Sequence, residues 1–138
     1  MCRVCVLVAG LCLCIAKPSF AIRAMGDVFV ATYAGEDASP EFQKLVKVEA
    51  RCNVCHIFRE NRAKRNPYGV AFHDALKESK FPMAEFKKAP KDEKLVAMMK
   101  EVMKKLEDQK PKDSAPDAKT FGARMKVGML PGGDKLGK

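Results

Sequence analysis

The run Cys52-Asn53-Val54-Cys55-His56 constrains this chain more tightly than any other feature of its sequence. It matches C-x-x-C-H, the attachment signature of c-type haem. The chemistry explains the spacing. Two thiols three positions apart on one turn of chain can each form a thioether with one of the two vinyl groups of a haem, and the imidazole directly after the second thiol comes under the iron as its proximal ligand. Three plainer readings compete. A structural zinc site needs four ligands, and beyond Cys52, Cys55 and His56 the mature chain offers only His73 or a carboxylate. A thioredoxin-like redox pair belongs beside a βαβ pattern, and strand signals are almost absent here. A disulfide between Cys52 and Cys55 closes so small a loop that it gains little from chain entropy.

The rest of the cysteine count follows from the first residues. Met1-Cys2-Arg3 is a short basic start, Val4 to Ala16 is an apolar run of 13 residues, and Ser19-Phe20-Ala21 sets small residues at −3 and −1 of a cut after Ala21. This is the pattern of a secretory signal peptide over residues 1–21. A helix of that run would be about 20 Å long against a hydrocarbon core of about 30 Å, so no membrane span is expected. Removal of residues 1–21 takes four of the six cysteines and leaves Cys52 and Cys55. It also takes Arg3 and Lys17, so a net charge of +9 becomes +7. That balance suits acidic partners, because such fields steer association. Nucleic acid is not expected as a partner: the lysines alternate with acids, and no nucleic-acid fold motif is present.

In chain order, residues 22–38 read as an extended N-terminal arm, since Asp27 to Tyr33 is the one β-like run. Ser39-Pro40-Glu41 starts a helix, with Ser39 as cap, Pro40 in the first turn and Glu41 favouring the dipole. Phe42, Leu45, Val46 and Glu49 carry it to Cys52. Residues 57–66 form a basic loop in which Arg59, Arg62, Lys64 and Arg65 are either solvated or available to neutralise haem propionates. Asn66-Pro67-Tyr68-Gly69 signals a turn. A second helix follows to Ser79 with Tyr68, Phe72 and Leu76 on one face and His73 on its flank. Phe81-Pro82-Met83 breaks the pattern, and Ala84 to Ala89 is a short helix or a loop. The third helix, from near Pro90 to near Gln109, carries the stripe Leu95, Met98, Met99, Val102, Met103, Leu106. A linker follows, then a last short helix capped by Asp117 with Phe121 and Met125 on one face, and a loose tail from Gly128. The expected fold is all-α, with a haem domain over residues 39–109 and a linker, short helix and tail over residues 110–138. So small a domain is marginal for a stable core.

A helix leading into C-x-x-C-H, a Pro-containing turn about a dozen residues on and an amphipathic C-terminal helix together resemble a small monohaem c-type cytochrome. The resemblance covers about Ser39 to Gln109. It implies one covalent haem c, with Cys52, Cys55, His56, Pro67 and Tyr68 at the cofactor. It implies that the Pro67 carbonyl accepts a hydrogen bond from the far nitrogen of His56, which would fix the ring and raise its basicity. A second axial ligand is implied downstream. Met83 is in the right order, on a loop ahead of the third helix. His73, Met129 or an open position are the alternatives. Met98, Met99 and Met103 read as core.

The resulting expectation is a periplasmic, non-enzymatic carrier of single electrons between acidic redox partners. The alternative is a haem protein that binds or senses a small gas such as NO or CO. The sequence leaves the oligomeric state open.

Overall fold

A computed structural model describes residues 21–61 and 63–134, so the leader expected over residues 1–21 lies outside the described residues except for Ala21. The fold is all-α. Among the described residues six α-helices follow in order: α1 (Ala21–Tyr33), α2 (Pro40–Lys44), α3 (Pro67–Glu78), α4 (Met83–Lys88), α5 (Glu93–Leu106) and α6 (Phe121–Lys126). No strand occurs among the described residues; the one β contact is an isolated antiparallel bridge between His56 and Arg65. None of the described helices is long and apolar enough to cross a membrane.

The segment expected as an extended arm is helix α1. Val28, Val30 and Thr32 are β-branched and favour strands through stiff side chains. Met25, Val28, Phe29 and Tyr33 nevertheless fall at i, i+3, i+4 and i+8, and that stripe packs on the domain, burying Val28 and Phe29. The Thr32 hydroxyl bonds back to the Val28 carbonyl at 2.7 Å, the arrangement by which threonine tolerates a helix. The Tyr33 hydroxyl donates to Glu107 Oε1 at 3.0 Å and ties α1 to the end of α5.

Ser39 caps α2 by accepting from the Phe42 amide at 3.2 Å. The helix does not run unbroken to Cys52. Leu45–Glu49 is π-helical, and the Ala50 amide reaches back to the Leu45 carbonyl at 2.7 Å. The chain breaks at Ala50, and a 3₁₀ turn, Arg51–Val54, carries the first thiol. Phe42, Val46 and Ala50 are buried four residues apart.

Asn66 is the hinge of the fold. Its side chain is fully buried and makes three hydrogen bonds. The carboxamide nitrogen donates to the carbonyls of Asn53 at 2.8 Å and Val54 at 3.1 Å, and the carboxamide oxygen caps α3 by accepting from the Gly69 amide at 2.8 Å. One side chain therefore fixes the C-x-x-C-H turn and starts the helix behind it. Gly69 completes the joint: a Cβ there would overlap the Cys55 carbonyl oxygen, so only glycine lets α3 come this close.

α3 ends in a Schellman motif, with the Phe81 amide on the Leu76 carbonyl (2.9 Å) and the Lys80 amide on that of Lys77 (3.0 Å). Lys80 holds the left-handed position at φ 51°, where glycine is usual and an L side chain costs roughly 1–2 kcal/mol. α4 begins at Met83, so that residue opens a short helix rather than lying on a loop. α5 starts at the Asp92 cap, later than Pro90, and packs on both α1 and α3.

The tail is packed as far as Gly133. Thr120, not Asp117, caps α6. The Phe121 and Gly122 amides donate to the Gln109 and Glu107 carbonyls, returning the chain to the end of α5. Phe121 is buried against the Tyr68 ring at 5.3 Å. Gly128 turns the chain at φ 77°, and the Arg124 guanidinium then holds the Leu130 and Gly133 carbonyls at 3.1 and 2.8 Å. Gly132 comes down on the Asn66 carboxamide, so close that a Cβ would overlap it. The packed domain thus extends beyond residues 39–109 at both ends.

Asn66→Ala should cost about 3 kcal/mol: roughly 1 for the helix cap and the remainder for two stranded carbonyls. Against a typical domain stability of about 5–15 kcal/mol, denaturant unfolding should show a large fall in the midpoint.

Candidate functional site

The 3₁₀ turn and the bonds from Asn66 turn the C-x-x-C-H segment toward the interior. There it forms one wall of a cavity of about 1200 Å³. Small-molecule sites usually measure about 300–1,000 Å³, so the space suits a large occupant. Cys52 is exposed, Cys55 is partly buried, and neither thiol is in a disulfide. Burial pushes the Cys55 thiol up to about 12. Arg65 beside it acts in the opposite direction, and Cys52 adds to the rise. Cys55 is therefore a neutral thiol across the physiological range.

His56 also lines the cavity. Its Nδ1 faces the Lys64 carbonyl at 3.4 Å, a long contact, because the His56–Arg65 bridge brings residues 64–66 alongside it. With Nδ1 turned that way, Nε2 is the nitrogen available to a metal. The partner carbonyl expected from Pro67 is thus supplied by Lys64. Pro67 is committed to the first turn of α3, is exposed, and is not on the cavity wall.

Helix α3 forms a second wall. Gly69, His73 and Lys77 fall at i, i+4 and i+8, with Lys80 just past the helix end, and all four face the cavity. Tyr68, Phe72 and Leu76 add its apolar part. Tyr68 is fully buried, stacked on Phe72 and set edge-on to Phe29, and its hydroxyl has no hydrogen-bond partner. Burial holds that phenol well above its ordinary value, with Cys55 a lesser contributor.

Met83, from the start of α4, lies on the same cavity as His56 and His73. Met103 of α5 is both core and cavity wall. Met129 is 41% exposed in the turn after α6 and is not on the wall. No family model, curated protein or solved structure matches the chain.

Several wall residues were not legible as such in the sequence. Met25, Gly26 and Phe29 come from α1, and the stripe through Met25, Phe29 and Tyr33 is the signal that would have found them. Arg51 reaches the wall from the turn before Cys52 and pairs with Asp27 of α1. Of the basic loop, Arg59 and Arg65 line the cavity, Lys64 pairs with Glu60 at 3.2 Å, and Arg62 lies outside the described residues. Among the described residues no three His, Cys, Asp or Glu side chains gather as they would around a single ion. The motif side chains are instead spread along one wall.

Proposed function

We propose that this protein carries one covalent haem c and passes single electrons between redox partners in the periplasm. The observation that carries the reading is the shared cavity: the C-x-x-C-H residues line it together with two candidate second axial ligands, His73 and Met83, and with the apolar residues Phe29, Phe72, Leu76 and Phe81.

The residues fit such a group. Two unbonded thiols on one wall can each take a vinyl group at one edge of a flat ring. Their spread along the wall suits that edge better than it suits the four convergent ligands of zinc. When bound, haem supplies a one-electron ferric/ferrous couple. The rest belongs to the chain. His56 would hold the iron through Nε2, with the Lys64 carbonyl beside Nδ1 to orient its ring. Met83 would be the first choice for a second ligand to the iron, and His73 the alternative. The apolar walls exclude water, and burial of this kind is one of the levers on potential. Among the described residues Glu60 is the single acid on the cavity wall, against seven lysines and arginines. That excess steers an acidic partner toward it.

A second reading has one observation behind it. The cavity exceeds the usual size range, which leaves room for a small gas on the iron if Met83 stays with α4.

Protein exported from a host competent in c-type maturation should gain the mass of one haem and undergo reversible one-electron reduction. Ferric protein should show the long-wavelength charge-transfer band of methionine ligation and ferrous protein should resist CO, and Met83→Ala should abolish both properties. Absence of that band from the unaltered protein, with CO resistance that survives Met83→Ala and is lost with His73→Ala, would assign the ligand to His73. Rapid, tight CO binding by the unaltered protein would favour the gas-binding reading. No added haem would sink both.

The Cys52→Ala/Cys55→Ala chain should lose helical circular dichroism and its cooperative melt, because the cavity walls would face water. A melt like that of the loaded protein would count against this.

A further inference from the structure

The basic loop after His56 is the obvious partner for the carboxylates of a haem. The structure points elsewhere. We propose that Lys77, Lys80 and Lys87, at the far end of α3 and on α4, hold the carboxylate-bearing edge of the cavity's occupant. This rests on the haem reading above and assigns residues that reading leaves open.

Helix α3 acts as a ruler along the cavity. Its start is fixed, because the Gly69 backbone is pressed against the Cys55 carbonyl. From there the cavity-facing stripe runs through His73 to Lys77 and Lys80. At 1.5 Å per residue, Lys77 lies about 12 Å along the axis from Gly69. A porphyrin of this type carries its vinyl groups on one edge and its two propionates on the opposite edge. Fastened at Cys52 and Cys55, it directs its carboxylates away from the Gly69 end of the cavity.

The basic loop sits at the wrong edge for that role. Arg65 is bridged to His56, beside the attachment point. Lys64 is engaged by Glu60. Arg59 lies over the Phe58 ring, 5.1 Å from its centroid. By contrast, no ion pair among the described residues involves Lys77, Lys80 or Lys87.

Lys80 adds an independent observation. It occupies the left-handed position of a helix-ending motif that favours glycine. A lysine there works against the local backbone, and such outliers persist where the side chain has another use; Arg59 of the basic loop is left-handed too, at φ 60°, but its guanidinium is already placed over the Phe58 ring. Its side chain is on the cavity wall.

The test uses haem-loaded, full-length protein in three forms: unaltered, Lys77→Gln/Lys80→Gly/Lys87→Gln, and Arg59→Gln/Arg65→Gln. The propionate-bending band in the resonance Raman spectrum should move to lower frequency in the lysine variant and stay in place in the arginine variant. The midpoint potential should also fall in the lysine variant, because loss of cations near the carboxylates favours the ferric form. Lys80→Gly alone should melt no lower than the unaltered protein, since glycine relieves the backbone, yet should still shift the band. An unmoved band in the lysine variant, or a shift confined to the arginine variant, would overturn the proposal and leave the haem reading intact. Failure of the unaltered chain to gain haem would instead strike the reading on which it rests.

Discussion

One buried carboxamide organises this protein. A polar side chain without access to water is costly unless every donor and acceptor is met. Asn66 meets that demand by bonding two carbonyls of the C-x-x-C-H turn and one amide of α3. The Asn66 amide also donates to the Cys55 carbonyl at 3.0 Å, and its carbonyl receives the Val70 amide at 3.0 Å. The backbone and side chain of one residue thus fix where the thiols sit relative to the helix behind them. The distance from the thiols to any residue on α3 then becomes a matter of helical rise alone.

The cavity is built from parts far apart in sequence. α1 gives Phe29, the 3₁₀ turn gives the thiols, α3 gives the His73 stripe, α4 gives Met83 and α5 gives Met103. Tyr68 stands at the centre of this assembly, touching Phe29, Phe72 and Phe121 through ring contacts. These ring contacts set how far apart the surrounding helices pack. The cations are distributed differently, along the rim, where their charge stays partly hydrated. An apolar interior with a charged edge suits a flat occupant that is greasy in the middle and anionic at one side.

Much of this was legible in the sequence, for identifiable reasons. The Ser39 cap, the α3 face through Tyr68, Phe72 and Leu76, and the α5 stripe all depend on local chemistry and spacing, and they appear where the pattern put them. α1 was not legible, because the β-branched residues Val28, Val30 and Thr32 outweighed a helical stripe that only tertiary packing rewards. The break at Ala50 was hidden because π-helical widening leaves the same residues apolar. The Lys64 carbonyl, rather than that of Pro67, faces His56 because a single bridge between His56 and Arg65 brings the two limbs of the loop side by side, and single bridges carry no sequence signature. The role of Asn66 was half visible. Asn-Pro reads as a turn or cap, but its second hold, on Asn53 and Val54, spans more than ten residues and leaves no periodic trace.

The contact between Gly132 and Asn66 gives the C-x-x-C-H turn a backing on its far side. A Cβ at position 132 would meet the Asn66 carboxamide. A bulkier residue there would push on the same side chain that holds the Asn53 and Val54 carbonyls, so the disturbance would be relayed to Cys52 and Cys55 by a residue that touches neither thiol.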